Sequence, residues 1–241
     1  MATLIVSDVH CDGPDSLTQQ AFLGLLSAVQ TDTLVLAGDI FHAFWAPNGT
    51  PFPAYQPVIE ALRGRKLVVL PGNHDWGLPA HLLQRGFDPS AIVVTAAPNP
   101  ARVGVRVDVP IEGLRASFTH GDEVDESWTY RGFHAILRSS GFGRLLDALG
   151  PVGAWNLLHR LAGPLGAGAP NPALVAAQRE LAERWIAGGA QLVVTGHTHA
   201  PCCEKIGGGT WLNPGDWITH RTYGFVEEGR VELRTFTPVR G

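Results

Sequence analysis

Five short motifs pair carboxylates, histidines and an asparagine at spacings suited to holding cations. They are Asp8-Val9-His10, Gly38-Asp39, Gly72-Asn73-His74-Asp75, His120-Gly121-Asp122 and Gly196-His197-Thr198-His199. A pair separated by one residue at a strand end is expected to present both side chains on one side of the extended chain, because side chains repeat every second residue. Two hydrolytic cations roughly 3.5–4 Å apart need hard or borderline ligands and one shared anion. Asp39 is the natural bridge, and Asn73 adds a neutral carbonyl oxygen that leaves room for an anionic phosphate. Histidines supply the rest, a mix that suits manganese, iron, zinc, cobalt or nickel better than magnesium or calcium. One motif alone reads equally well as a hydrogen-bonded polar turn. Five in series, each after an expected strand, favour metal ligation by Asp8, His10, Asp39, Asn73, His120, His197 and His199.

The elements that must position these residues follow from the hydrophobic pattern. Apolar runs at 3–6, 33–37 and 66–70 each end in a motif and read as buried strands. Amphipathic stretches at 16–29, capped by Asp15 or Ser16, and at 55–62 read as the helices between them. Ligands gather at the carboxyl ends of strands in such a layout. Short strands are then expected at 91–95, 102–109 and 114–119, helix over 130–165, and a further helix at 172–186. Strands at 191–195, 210–213, 223–227 and 230–235 close the chain, the last two joined by a turn at Glu228-Gly229.

Composition narrows the function class. A net charge of −4 without a basic stripe argues against a nucleic-acid polymer as partner. The 241 residues carry no Ser/Gly-rich linker between motifs, so one domain with a helical insert near 125–170 is expected. The first ten residues read as a strand rather than a secretory signal, and no uncharged run is long enough to span a bilayer. Three cysteines, Cys11, Cys202 and Cys203, make a poor disulfide framework and point to a reducing, cytoplasmic setting. Thiolate ligation by Cys11 or Cys202 is disfavoured, since neither has a C-x-x-C partner.

The ordered set D-x-H, GD, GNH, H and GHxH resembles the calcineurin-like metallophosphoesterases, from Asp8 to the NPGD segment at Asn213 to Asp216. The resemblance implies an α/β (α+β) fold: a β-sandwich of two mixed sheets flanked by helices. It implies Asp8, His10, Asp39 and His199 around one metal and Asp39, Asn73, His120 and His197 around the other. His74 then contacts the substrate phosphate or assists the leaving group. Within the family, Gly38-Asp39-Ile40-Phe41, the helical insert and Asn213-Pro214-Gly215-Asp216-Trp217 are most similar to the UDP-2,3-diacylglucosamine diphosphatase branch. His42 departs from the acidic residue usual there, His74 from the arginine of the best-known branch, and Cys11-Asp12-Gly13 from the usual start.

Other residues carry weaker signals. Trp45, Trp76, Trp128, Tyr130 and Trp155 either line a pocket or pack in the core. Arg131, Arg138 and Arg160 either clamp a diphosphate or face solvent, and Asp125 joins Trp45, Tyr130, Arg131 and Arg138 as a substrate-contact candidate. His42 is expected to orient its neighbours rather than to ligate. Asp75 and Asp122 are expected to bond loop backbone or the ligating histidines. His81, His134, His159 and His220 have no supporting motif and read as ordinary.

The expected activity is hydrolysis of a phosphoester or pyrophosphate bond by a hydroxide held between two divalent metals, manganese first among the candidates. The leading substrate is a nucleotide-sugar diphosphate of the UDP-2,3-diacylglucosamine type, lipid-linked, with the helical cap touching the membrane periphery. One rival is a cytosolic phosphodiesterase or phosphatase acting on nucleotides, cyclic nucleotides or phosphoproteins. The other is a binding scaffold that has lost chemistry, which predicts missing ligands.

Overall fold

Alternation within the short apolar runs decides the layering. In the computed structural model, which describes residues 1–88, 105–163 and 170–237, β1 (Ala2–Val6), β2 (Thr33–Ala37) and β3 (Lys66–Leu70) are parallel neighbours. Leu4, Val6, Leu34, Leu36, Leu67 and Val69 pack against Phe22 and Leu25 of α1 (Leu17–Ala28) and Val58 and Ile59 of α2 (Gln56–Ala61). Ile5, Val35, Ala37, Val68 and Leu70 pack toward the second sheet. Burial on both faces is what parallel strands with helical crossovers require.

After α3 (Leu78–Gln84), the second sheet is built from β4 (Val107–Ile111), β5 (Leu114–Phe118), β6 (Leu192–Val194), β7 (Cys202–Ile206) and β8 (Gly209–Asn213). Its order is β4-β5-β6-β8-β7. The chain then returns to the first sheet as β9 (Thr222–Glu227) and β10 (Arg230–Thr235), giving the order β10-β9-β1-β2-β3. Among the described residues both sheets are mixed and five-stranded. Glu228 (φ 50) and Gly229 (φ 77) form the expected tight turn, whose two left-handed residues match the strand twist.

The second helical region is α4 (Trp128–Leu137) followed by α5 (Ser140–Ala162), with Ser127 and Ser139 accepting from the Tyr130 and Phe142 amides as N-caps. α5 bends at Gly150 and Pro151, since proline lacks the N–H that would continue the ladder. Leu137, Leu146, Ala154 and Leu158 are buried against Ala43 and Trp76, each leucine contributing about 1.5–3 kcal/mol. Trp155 stacks on Phe52 at 4.4 Å and donates to Tyr55 Oη at 3.0 Å, which pins the cap to the body. α6 (Pro172–Ala187) covers the second sheet, with Ala182, Trp185 and Ile186 on Val193 and Trp211.

The described elements and the expected ones differ in places. α3 and β7 were not foreseen. The strand expected at 91–95 lies outside the described residues, and the one expected at 102–109 is found at Val107–Ile111, with 102–104 also outside. In the stretch expected to be helical over 130–165, α4 and α5 carry large apolar residues of both kinds: Ile136, Leu145 and Leu149 are exposed while Leu137, Leu146 and Leu158 are buried. Among the described residues, no helix is long and apolar enough to cross a membrane.

Candidate metal centre

The seven proposed ligands converge just beyond β1, β2, β3, β5 and β6. His10 Nε2 lies 3.2 Å from His199 Nε2, and His199 Nε2 lies 3.4 Å from Asp8 Oδ1. On the other side His120 Nε2 is 3.2 Å from Asp39 Oδ2, and both His120 Nε2 and His197 Nδ1 are 3.0 Å from Asn73 Oδ1. Among the described residues three groups of donor atoms, Asp8 with His10 and His199, Asp8 with Asp39 and His120, and His10 with His42 and His74, are each mutually within 4.8 Å. Ring centres are 5.1 Å apart for His10 and His199 and 5.4 Å for His120 and His197. Two imidazoles binding one tetrahedral cation at about 2.0–2.1 Å would place their centres about 5 Å apart.

The backbone explains why these positions meet. Asp8, His10, Asp39, His197 and His199 all adopt φ between 50° and 65°, a left-handed conformation that non-glycine residues rarely take. Asp8 and His10 therefore converge through two turned residues past the end of β1, and not through strand alternation as the sequence reading had it. Such strain persists only where surrounding structure over-determines it. The motif glycines supply part of that constraint. A Cβ on Gly72 would lie 2.0 Å from Asp39 Oδ1, and one on Gly196 would lie 2.7 Å from Asp8 Oδ2.

The electrostatics fit a cation. Burial alone would raise Asp39, but His120 and His74 hold its carboxyl well below the usual range. Burial opposes charge on His120, yet Asp39 and Asp8 push that imidazole well above its ordinary value. Two buried carboxylates thus draw positive charge onto adjacent rings, the demand a divalent ion would meet. His120 donates Nδ1–H to the Ala37 carbonyl at 3.0 Å, which leaves Nε2 as the atom that could ligate a cation. No cysteine belongs to any of the three groups, and Cys11 is buried in the core.

Supporting residues divide by what they touch. Asp75 accepts the amides of Asp39 (3.1 Å), Gly72 (2.9 Å) and Ile40 (2.7 Å), joining the two motif loops. His74 donates its amide to Asp39 Oδ1 and its Nδ1–H to the His42 carbonyl, both at 2.8 Å, so its other ring nitrogen is left for the cavity it lines. The His42 ring donates Nε2–H to the Gly163 carbonyl at 3.1 Å. Asp122 does not bond loop backbone or histidine as expected. It accepts from Tyr130 Oη at 3.3 Å and faces Arg138 at 3.6 Å, tying the cap to the motif loop.

The substrate-contact candidates separate as well. Tyr130 lines the cavity and lies edge-on to His197 at 5.8 Å. Trp45 is instead part of the cap's core, donating to Asp147 at 2.9 Å, and Trp76 takes the lining position. Arg131 faces solvent beside Glu126 at 3.7 Å, and Asp125 is engaged with the Ser127 amide at 3.0 Å, so neither lines the cavity. Arg138 is held at Asp122 and is also not a lining residue.

Sequence reasoning missed His134 and Gln178. His134 is buried on α4 and lines the cavity beside His74. Gln178, fully buried on α6, donates to the Gly196 and Gly121 carbonyls and accepts from the Thr195 and Thr198 hydroxyls. Its signal was a polar residue on the same helical face as Leu181 and Ala182.

Comparisons with known proteins agree with this geometry. The model of the calcineurin-like phosphoesterase family matches residues 1–201. A UDP-2,3-diacylglucosamine hydrolase of Xanthomonas campestris pv. campestris is 30% identical over 151 residues, 59% of this chain and 56% of its own length. The match thus spans little more than half of that relative. A protein of the same name from Sodalis glossinidius is 26% identical over 244 residues, 94% of this chain and 97% of its own. The solved structure of a novel archaeal phosphodiesterase aligns over 97% of this chain and 99% of its own, with a TM-score of 0.51 at 15% identity, a likeness of fold alone. The chain belongs to the calcineurin-like phosphoesterase family, a family of metal-dependent phosphoester hydrolases.

Proposed function

We propose that this chain hydrolyses a phosphoester or pyrophosphate bond with two divalent cations, and that its substrate is a nucleotide-sugar diphosphate of the UDP-2,3-diacylglucosamine type. The observation that carries the reading is the cavity of about 250 Å³ between the metal centre and the cap. Asn73, His74, Tyr130 and His134 form its polar side, and Trp76, Phe133, Leu137 and Leu158 its apolar side. A phosphorus ester with an apolar appendage matches both. The names of the curated relatives support the same substrate class.

Asp8, His10, Asp39 and His199 would hold one cation and Asp39, Asn73, His120 and His197 the other, with manganese the first candidate and iron, zinc, cobalt or nickel behind it. Bound there, the cations supply Lewis acidity and an activated water. His74 presents its free ring nitrogen to the phosphoryl oxygens or leaving group, held in place by the His42 carbonyl and Asp39. Tyr130 and Asp122 keep α4 against this opening and help exclude bulk water.

A second reading keeps the chemistry and changes the substrate to a small nucleotide or phosphodiester. The cavity volume favours it, being below the roughly 300–1,000 Å³ of pockets that enclose a drug-sized ligand. A metal-reconstituted assay over UDP-2,3-diacylglucosamine, UDP-sugars without acyl chains, cyclic nucleotides and bis(p-nitrophenyl) phosphate separates them. Preference for the acylated diphosphate supports the first reading, and preference for a small ester replaces it with the second. Metal-independent turnover, or none on any phosphorus ester, would sink both.

A further inference from the structure

An imidazole that ligates a metal usually gives its other ring N–H to a carbonyl or carboxylate, which fixes the tautomer and aims the remaining lone pair. His120 follows this pattern at the metal centre through the Ala37 carbonyl. Two histidines outside the seven proposed ligands follow it as well. A carbonyl can only accept, so the neutral His42 ring carries its proton on Nε2, bonded to the Gly163 carbonyl at 3.1 Å. By the same argument His74 carries its proton on Nδ1, bonded to the His42 carbonyl at 2.8 Å. His42 Nδ1 and His74 Nε2 are left with lone pairs.

These two lone pairs share one place. The His42 and His74 rings lie with their centres 5.3 Å apart, between the 5.1 Å of His10 and His199 and the 5.4 Å of His120 and His197. Ring nitrogens of His42, His74 and His10 fall mutually within 4.8 Å. His42 is only 2% exposed, and its Nδ1 has no hydrogen-bond partner among the described residues. A buried acceptor without a donor is costly, and a cation would meet that demand. His10 faces both places: its Nε2 is 3.2 Å from His199 Nε2, while its Nδ1 is buried and likewise unpartnered among the described residues. The orienting role expected of His42 is performed by its backbone carbonyl on His74, not by its ring. Both rings line the cavity, which gives an ion its way in.

We propose that His42 Nδ1 and His74 Nε2 hold a further divalent cation beside the first proposed site, with His10 as the third imidazole around it and water completing the shell. Nitrogen donors without a carboxylate favour zinc, copper or nickel over manganese, unlike the centre built on Asp8 and Asp39. The ion would take the nitrogen that His74 otherwise presents to substrate, and so slow turnover. That effect rests on the proposed function, whereas binding of the ion does not.

Equilibrium dialysis of the full chain against Mn²⁺ or Zn²⁺, followed by elemental analysis, tests the site without turnover. Manganese is expected to fill the two proposed sites only, and zinc to add a third equivalent. His42→Phe and His42→Leu should each lose that third equivalent and keep the other two, and the second variant decides if the first fails to fold. His220→Ala should keep all three, which separates the site from zinc held at the half-exposed His220 beside Asp216. Anomalous scattering from crystals of the zinc-loaded protein should place the third ion between His42 and His74. A third equivalent that zinc does not supply, that manganese supplies equally, or that both His42 variants retain would overturn the proposal. Zinc added to the manganese-loaded enzyme should slow hydrolysis of bis(p-nitrophenyl) phosphate more in wild type than in His42→Phe, and equal slowing would refute the inhibitory role. A third equivalent bound by a chain that hydrolyses no phosphorus ester would uphold the site and sink the proposed function alone.

Discussion

Asp75→Ala is expected to damage the metal centre although Asp75 is not among the proposed ligands. Its carboxyl is fully buried, burial with the nearby Asp39 raises it to about 6, and it accepts amides through both oxygens. Alanine would strand the buried amides of Asp39, Ile40 and Gly72. A buried donor left without a partner costs about 1–3 kcal/mol, so three together cost about 3 kcal/mol at the least. That is a large share of the roughly 5–15 kcal/mol by which a domain is stable. The same amides hold the Asp39 loop against Gly72, so metal affinity should also fall, by about 10–100-fold as for other residues supporting ligands. Asp75→Asn keeps one accepting oxygen and should fall between wild type and alanine. Urea unfolding of the metal-free protein and calorimetric titration with Mn²⁺ measure the two effects. A loss in Asp75→Ala below about 1 kcal/mol, with unchanged affinity, would refute the reasoning.

Asp39→Ala should remove both cations and abolish turnover, while His10→Ala should mainly empty one site; elemental analysis showing two retained metals in Asp39→Ala would contradict the bridge. His74→Ala should lower turnover by about 10²–10⁴-fold with metal content intact, and loss of metal in step with activity would make it a ligand or a structural residue instead. His81 is buried on α3 with neither ring nitrogen bonded among the described residues, and burial, with Arg85 adding, lowers its pKa to about 4. The unfolded chain therefore binds a proton more readily below about pH 6.5, so the stability His81 allows at neutral pH is lost as pH falls from there toward about 4. Denaturation of His81→Leu at pH 7.5 and pH 5 should show a smaller acid loss than wild type, and an unchanged loss would mean that other groups dominate.

The candidate centre was legible because residue type and spacing suggest its chemistry directly: Asp39, Asn73 and the GHTH pair, expected as ligands from the sequence, are brought together in the fold. β2 and β3 were found at their observed bounds because each is an apolar run ended by a glycine-containing motif. Their mechanism of convergence was not legible, since nothing about Asp8 or His10 as a residue type announces a left-handed backbone. Trp45, Asp125 and Arg131 were misplaced for a related reason: which way each side chain points is settled by Asp147, the Ser127 amide and Glu126, none of them visible as a pattern. Gln178 stayed hidden because two of its partners are backbone carbonyls 18 and 57 residues away. β7, mixing exposed and half-buried residues at a sheet edge, lacks the uniform apolar run that marked the inner strands.

The strand order has a consequence for how the chain is made. β1 lies in the middle of its sheet, hydrogen-bonded on one side to β2 and on the other to β9, pairing Ala2 with Glu227. A ribosome delivers β1, β2 and β3 early, but the partner of β1 only when synthesis is nearly finished. Asp8 and Asp39 likewise emerge long before His197 and His199. Until then the nascent chain carries an open sheet edge and two carboxylates without their complete set of histidines. Contacts of such long sequence separation form slowly, and exposed edges in the interval invite aggregation. Loading of the proposed centre would therefore come late in the life of each molecule, and a chain ending before residue 197 would lack two of its proposed ligands, His197 and His199.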